Sequence, residues 1–432
     1  MTNVLDRIGD VSASLVDLYK DLHAHPELSF AEHRTAGIVA DRLRDLGFEV
    51  HSGVGGTGVV GVLRNGSNLR NTSSLRNSSS LRNSSGATVL LRADMDALPV
   101  EEVTGLDYAS TERGTDKEGN DVPIMHACGH DMHVVALLGA ARILSETVDS
   151  WSGTLEVLFQ PAEELGAGAQ AMVDDGLYDR IPKPDVVLGQ HVAPAPAGIV
   201  GLHSGAAFAA ADSMLVRMFG RGGHGSRPET TIDPIVMAAS AVMRLQTVVS
   251  REIAGSDIGV LTVGQFHAGT KNNIIADHAE FGLSIRTVNP EVRARVLDAV
   301  HRIVRAEAQA SGALREPELI AQESFPVLIN DGAACDRVSA AFRGVFGEHG
   351  VIDPGPVTGS EDVGILADAA GAPLVYWLLG GADPEAYLKA ATAGTVEEDI
   401  ASNHSPRYAP VIQPTLDNGI TALTTAALEW LS

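Results

Sequence analysis

The sequence predicts an α/β protein with a second, ferredoxin-like domain inserted into the first. Two observations carry this. Along most of the chain, short β-type runs alternate with helical spacing, the pattern of helices layered on a largely parallel sheet. Between about 206 and 322 the order changes to β-α-β-β-α-β, the split βαβ arrangement.

Residues 12–24 and 31–46 carry apolar positions at helical spacing, and Gly47 follows the second run as a C-cap. Val59–Leu63 and Thr88–Arg92 read as strands. Between them the hexapeptide Leu63-Arg-Asn-Gly-Ser-Asn recurs with small changes from Leu69, Leu75 and Leu81. This stretch is polar, cannot bury much apolar area, and is expected to be a flexible insertion over 64–86. A solenoid needs longer, apolar repeats. Asn65, Asn71, Asn77 and Asn83 fit the glycosylation sequon, but Met1–Tyr19 carries Asp6, Arg7, Asp10 and Asp17 and no apolar core, so no signal peptide is expected.

Strand 88–92 leads into Ala93-Asp94-Met95-Asp96. A helix is predicted over 132–145, a strand over 154–159, a helix from Gly166 to Asp175 closed by Gly176, and a strand over 185–189 ending at Gln190-His191. Three of these strands deliver chemically rich segments, and in open α/β sheets sites form beyond the carboxyl ends of strands. The inserted domain reads as strand 213–219, helix 234–250, strands 258–267 and 277–287, helix 290–311 and a strand near 317–322. Residues 1–205 and 323–432 are then one domain and 206–322 the other.

With 432 residues and 44% hydrophobic content the chain can build two cores. Its formal charge of -24 would be repelled by a duplex or an anionic membrane, so neither nucleic acid nor membrane is expected as a partner. No run approaches the roughly 18 apolar residues of a membrane span. Cys128 and Cys335 are too few for a disulfide framework. Together these features predict a soluble protein of the reducing cytoplasm.

The most informative stretch is His126-Ala-Cys-Gly-His-Asp131, followed by Gln160-Pro-Ala-Glu-Glu164. Each group alone is weak. Cys128 and His130 fit a buried thiol beside a capping histidine, and Glu163-Glu164 fits a solvated turn. His191 fits a core histidine and His404 a loop histidine. Together they offer one thiolate, three imidazoles and a carboxylate, enough for two ions sharing a bridge, with a second carboxylate left to move protons. Asp94 and Asp96, two apart, face one side of a strand end. Asp96 suits an acceptor that fixes the tautomer of a ligand imidazole, and a capped turn before Pro99 is the equal alternative. Asp131 and His133 read as helix N-terminal residues, and His23, His25 and Glu27 as a packed helix end without chemistry. Gly220-Arg-Gly-Gly-His-Gly225 matches G-x-G-x-x-G, yet Pro228 follows, the helix starts near Pro234, and 240–251 contain no acid. A nicotinamide cofactor is therefore rejected. The glycine-flanked His224 reads either as a mobile donor that can approach a substrate oxygen or as part of an ordinary tight loop.

Taken jointly, His25-Pro-Glu-Leu-Ser-Phe, Arg92-Ala-Asp-Met-Asp-Ala-Leu-Pro, Met125-His-Ala-Cys-Gly-His-Asp, Phe159-Gln-Pro-Ala-Glu-Glu, Gly220-Arg-Gly-Gly-His-Gly-Ser and Asn403-His-Ser-Pro give the chain a clear likeness. It resembles the metal-dependent amidohydrolases of the aminoacylase and carboxypeptidase G superfamily, in the branch with hippurate hydrolases, N-acyl-amino-acid deacylases and indole-acetyl-amino-acid hydrolases. The likeness covers nearly the whole chain except the repeat at 64–86. It implies a zinc-peptidase-like catalytic domain, an inserted lid and dimerisation domain, and a homodimer. It also implies two divalent metal ions per subunit. Cys128 would bridge them where other branches use an aspartate, His130 and His191 would complete one, and Glu164 and His404 the other. Glu163 would be the general base. His224 of the partner subunit would steady the oxyanion, Asn273 would assist, and Arg286 would pair with the substrate carboxylate, an exposed strand arginine being the plainer reading of the last. Thiolate and imidazole ligands favour zinc, cobalt or nickel, while relatives in this branch are associated with manganese. Ala276 stands where many relatives have proline. The implied reaction is hydrolysis of the amide of an N-acyl amino acid. A di- or tripeptidase on the same metal site is the nearest alternative. A binding protein that kept the fold and lost catalysis is disfavoured by the intact Glu163-Glu164 pair.

Overall fold

The computed structural model describes residues 2–66 and 86–431, which gather into two compact units: Met1–Gly205 with Ile329–Gly355 and Asp362–Ser432, and Ala206–Leu328 with Pro356–Glu361. Of the hexapeptide repeat, residues 67–85, with Asn71, Asn77 and Asn83, lie outside the described residues. Arg64 and Asn65 are the last residues of the strand Gly58–Asn65. Asn65 is buried, and its amide donates to the carbonyls of Val148 and Trp151.

The first unit is built on an eight-stranded sheet. Its centre is four parallel strands in the spatial order Gly153–Gln160, Thr88–Asp94, Val186–Pro196 and Leu374–Ala382. The hairpin Glu49–Val54 and Gly58–Asn65 adds antiparallel strands on one side. Alternation decides the two faces. Val89, Leu91, Val157 and Leu188 belong to a core shared with Leu137 and Leu144 of the helix His130–Glu146 and with Leu416, Ile420 and Leu423 of the helix Ile412–Leu431. A strand buried on both faces reads as a continuous apolar run, and Thr88–Asp94 and Gly153–Gln160 do so apart from a few buried polar residues.

Those exceptions are informative. Arg92 is wholly buried on the opposite face. It donates to Asp94 Oδ2 at 2.6 Å, to Gln160 Oε1 at 3.0 Å and to the Tyr376 hydroxyl at 3.1 Å. Such a charge is tolerated in the interior only when it is paired and hydrogen-bonded. Gly189, between them in the sheet, makes the approach possible: a Cβ there would lie 2.8 Å from the Tyr376 ring.

Three elements differ from their sequence expectation. The first helix is two, Ile8–Ala13 and Val16–Ala24, because the Ser14 amide and hydroxyl both turn back onto the Val11 carbonyl and tighten the chain. The segment after the glutamate pair is a single 3₁₀ turn, Glu163–Leu165, and then a short helix, Gly168–Asp174. The strand expected to stop before His191 runs from Val186 to Pro196. Its pairing with Thr88–Asp94 ends at Gly189, but on its other side it stays paired with Leu374–Ala382, opposite Leu378 at His191. His191 is therefore a strand residue with one edge open.

The second unit has a four-stranded antiparallel sheet in the order Gly259–Ala268, His278–Thr287, Ala210–Phe219 and Glu318–Phe325. The helices Pro234–Arg251 and Pro290–Ala310 supply the connections, so this is the ferredoxin-like split βαβ. Both helices start with proline behind a capping side chain. Asp233 accepts from the Ile235 amide at 2.9 Å and Asn289 from the Glu291 amide at 2.8 Å. Met237, Ala241, Leu245, Phe281, Val296 and Val300 form the separate core of this unit.

Glu156 is a liability in the first unit. It is buried within Gly153–Gln160, neither carboxyl oxygen has a hydrogen-bond partner among the described residues, and burial pushes the acid well above the ordinary carboxyl range, with Arg64 pulling it partly back. The folded protein keeps this proton while the unfolded chain releases it. Stability from this group is therefore full below the ordinary carboxyl value near ~4.3 and declines as pH climbs toward the raised folded value. Glu156→Leu should stabilise the protein at pH 8 by about 1–3 kcal/mol, with a smaller gain at pH 4. Urea midpoints at the two pH values measure this, and a variant less stable than the parent at pH 8 would refute it.

Candidate metal centre

Three sharp backbone turns bring the sequence-predicted ligands of the first unit together. Gly129 sits at φ +79, and a Cβ on it would lie 2.5 Å from Val192 Cγ1. Only glycine fits there, and the turn it makes sends Cys128 and His130 toward one point at the start of a helix. Ala162, a non-glycine residue at φ 48, bends the chain between the strand and the glutamate pair, and Glu163 Oε2 and Glu164 Oε1 both come to lie near His130 Nε2, at 3.9 and 3.8 Å. His404 is at φ 68, and its amide donates to the Ala127 carbonyl at 2.8 Å. The neighbouring Asn403 amide donates to the carbonyls of Cys128 at 3.2 Å and Val192 at 3.1 Å. This lashes the late loop to the cysteine turn.

Two clusters share Cys128, and a third joins His130, Glu163 and Glu164. Cys128, His130 and His191 form one, and Cys128, Glu164 and His404 the other; within each, the potential ligand atoms all lie within 4.8 Å of one another. Cys128 Sγ is 3.4 Å from His191 Nε2, and His404 Nε2 is 3.4 Å from Glu164 Oε2. Glu163 is buried, with Oε2 3.9 Å from His130 Nε2.

The fit to cations can be judged from atoms that lack a conventional partner. His130 Nε2 and Glu164 Oε1 are buried, 3.8 Å apart, and without a hydrogen bond among the described residues. Their lone pairs converge on the same space, as ligand atoms do. His191 donates from Nδ1 to the Val192 carbonyl at 2.8 Å, which leaves Nε2 unprotonated and facing the sulfur. Burial, together with His133, pushes this imidazole well below its usual range. His130 goes the other way: burial disfavours its charge, but Asp94 and a hydrogen bond to Asp96 outweigh that and raise it well above the usual range. Burial and the Glu164 carboxylate raise the Cys128 thiol. Hydrogen bonds to Cys128 and Glu164 lift His404 to about 10.

The partners behind the ligands are also fixed. Asp96 Oδ1 lies 3.3 Å from His130 Nδ1, while its Oδ2 accepts the Ser29 hydroxyl at 2.6 Å and the Glu164 amide at 3.0 Å. One carboxylate therefore orients a candidate ligand imidazole and the backbone of a candidate ligand glutamate. His133, which the sequence offered only as a helix N-terminal residue, accepts the Val192 amide on Nε2 at 2.8 Å and meets Asp94 Oδ1 at 2.5 Å through Nδ1. An amide can only donate, so the proton of His133 sits on Nδ1. Both ring nitrogens are used, which makes His133 a brace beside His191, although it groups with Asp94 and His130 as a possible ligand set. His23, given no chemistry from sequence, is buried between Asp131 at 2.6 Å and Glu102 at 3.1 Å; burial lowers it, but the two carboxylates outweigh burial and lift it to about 10.

The remaining expected site residues lie in the second unit. His224 pairs with Ile274 across a two-stranded ribbon, and the Gly225 amide donates to the Asn273 carbonyl at 2.8 Å, so His224 and Asn273 are neighbours. The Ser226 amide donates to His224 Nδ1 at 3.1 Å, which puts the ring proton on Nε2 and leaves an exposed donor. Arg286, in the strand His278–Thr287, donates to the Ser360 hydroxyl at 2.6 Å.

A thiolate, imidazoles and paired carboxylates converging at the carboxyl end of a mixed α/β sheet, in a chain that also carries a ferredoxin-like unit, define a metallohydrolase. Residues 90–413 match the model of peptidase family M20/M25/M40, and the chain belongs to that family. It is similar to hippurate hydrolase of Campylobacter jejuni, 36% identical over 368 residues, 85% of this chain and 88% of that protein. It is similar to N-acetyl-L-cysteine deacetylase of Bacillus subtilis, 37% identical over 357 residues, 82% of this chain and 78% of that protein. A crystal structure of a Bacillus subtilis protein, described as a dinuclear metal-binding peptidase of the M20 family, matches with a TM-score of 0.72 at 25% identity, covering 98% of this chain and 100% of that one.

Removing the carboxylate behind His130 should loosen the cation without removing a ligand. Asp96→Ala is expected to weaken cation binding about 10–100-fold, measured by competition with a chromophoric chelator. Parent-like affinity would mean that Asp96 does not orient the ligands.

Proposed function

We propose that the protein hydrolyses the amide bond of N-acyl amino acids, releasing a carboxylic acid and a free amino acid, with two divalent cations held by Cys128, His130, His191, Glu164 and His404. The observation that carries this reading is the pair of clusters sharing the Cys128 sulfur, with a further carboxylate, Glu163, beside them. The names of the hippurate hydrolase and the N-acetyl-L-cysteine deacetylase support the substrate class. When bound, the cations supply what an amide lacks, polarisation of its carbonyl and a water acidic enough to attack near neutral pH.

The chain supplies the rest. Cys128 would serve both cations, with His130 and His191 completing one set of ligands and Glu164 and His404 the other. Glu163, one residue before a ligand, takes the proton of the attacking water and returns it to the leaving nitrogen, a role worth perhaps 10²–10⁴-fold. His224 presents its Nε2 proton to the developing oxyanion, a contribution of about 3 kcal/mol, and Asn273 assists. Arg286 pairs with the carboxylate of the amino acid. The ligand set suits zinc, with manganese, cobalt and nickel as further fits. Glu163→Ala should keep both cations and lose most turnover of N-benzoyl and N-acetyl amino acids. Near-parent rates in that variant would remove Glu163 from the chemistry. Hydrolysis of free dipeptides in preference to blocked amino acids would favour a peptidase instead. Chelation should abolish turnover of the parent, and readded cation should restore it.

We also propose a homodimer formed through the ferredoxin-like unit, in which a second copy contributes His224. Val236 and Met243, on the helix Pro234–Arg251, are 64% and 73% exposed, and Val260, on the edge strand Gly259–Ala268, is 50% exposed. An unpaired strand edge flanked by exposed apolar side chains suits self-association. Met243→Asp combined with Val260→Asp should shift the protein toward monomer in light scattering, and turnover should fall with it. A variant still dimeric would move the interface elsewhere. No helix among the described residues is long and apolar enough to cross a membrane, and both cysteines are unpaired, which suits a reducing cytoplasm.

A further inference from the structure

The segment Ser29–Glu32 closes the His25-Pro-Glu-Leu-Ser-Phe stretch and leads into the helix His33–Asp45, where Glu32 occupies the N-cap position. An acid there would ordinarily cap its own helix. Glu32 makes no such bond and is wholly buried. Its Oε1 accepts the Phe30 amide at 3.0 Å and the Ala162 amide at 2.9 Å, and its Oε2 is bonded to the Thr57 hydroxyl. Phe30 and Ala162 are both non-glycine residues with left-handed backbone, at φ 62 and φ 48. One carboxyl oxygen thus holds two residues in a conformation that each would otherwise leave, at a cost of about 1–2 kcal/mol apiece. A second clamp runs alongside it: Asp96 Oδ2 joins the Ser29 hydroxyl to the Glu164 amide.

We propose that Glu32 is a positioning residue that sets the bend at Ala162 and thereby holds the Glu163 and Glu164 carboxylates side by side at His130 Nε2, one for the reacting proton and the other for a cation. The inference rests on the roles given to those two glutamates above. What the bend requires of residue 32 is an acceptor of the right length aimed at two amides, not a charge. A protonated acid meets this as well as a carboxylate, since its carbonyl oxygen can take both amides while its hydroxyl donates to Thr57. A glutamine side chain can do the same with its carbonyl and amide groups. Alanine offers nothing, and the two amides would be left buried without an acceptor.

The experiment compares the parent, Glu32→Ala and Glu32→Gln. In the metal-free proteins, hydrogen exchange of a peptide spanning 159–166 should be at least ~10-fold faster in Glu32→Ala and parent-like in Glu32→Gln. With the same cation loaded, Glu32→Ala should keep the parent's cation content, lose about 100-fold in kcat with KM within about threefold, and Glu32→Gln should recover kcat to within about threefold of the parent; misplacement of a reacting group by about 1 Å costs on this order. Parent-like exchange and kcat in Glu32→Ala would overturn the proposal. So would a Glu32→Gln variant as impaired as Glu32→Ala, because charge would then be the requirement. If Glu32→Ala does not fold, Thr57→Val removes one partner of Glu32 with little change in volume; it should speed exchange in 159–166 severalfold, and an unchanged rate overturns the proposal. If the parent turns over no N-acyl amino acid, the functional reading fails while the exchange data still decide the role of Glu32.

Discussion

Five side chains of the first unit turn lone pairs toward a common space: a sulfur, three imidazole nitrogens and a carboxylate oxygen. That crowding is the constraint on which the site depends. Donors so close repel one another unless something positive lies among them, which is what cations at this place would supply. His130 and His404 are pushed up by the anions around them, while His191, buried and backed by a carbonyl acceptor, stays neutral. The donors can be held this close because three of them have a fixed partner: Asp96 behind His130, the Val192 carbonyl behind His191, Asn403 beside Cys128.

The scaffold meets this demand by division of labour. The parallel strands fix where the segments emerge, and the buried Arg92 ties Asp94 to Gln160 and Tyr376 across the sheet. Local turns then make the final aim. At Gly129 the left-handed turn costs little, since glycine has no Cβ to clash. At Ala162 and His404 it does cost, and the chain offsets the strain with hydrogen bonds to Glu32 and to the Ala127 carbonyl. The positions under backbone strain are thus the ones where direction matters most.

Much of this was legible in the sequence. Short apolar β-type runs between helical segments marked the central strands, and the change to β-α-β-β-α-β marked the inserted unit. The ligand candidates were legible because chemically unusual residues followed predicted strands. Asp96 was visible through its two-residue spacing from Asp94. The braces were not. Glu32 looks like an ordinary capping acid, and His133 like one more polar residue in the first turn of a helix; only the register of distant segments makes them partners of Ala162 and Val192. The end of the strand at His191 was missed for a related reason. Pairing persists on one side of that strand after it has stopped on the other, and a one-dimensional pattern carries no such asymmetry.

Asn65 and Gly86, inside the first and last hexapeptides, lie at the amino ends of the parallel strands, whereas the candidate cation ligands gather at their carboxyl ends. A seven-residue strand separates the two places by about 20 Å. Repeat units added or removed between these two residues would join the sheet at its floor, the length of a strand away from the candidate donors on the rim.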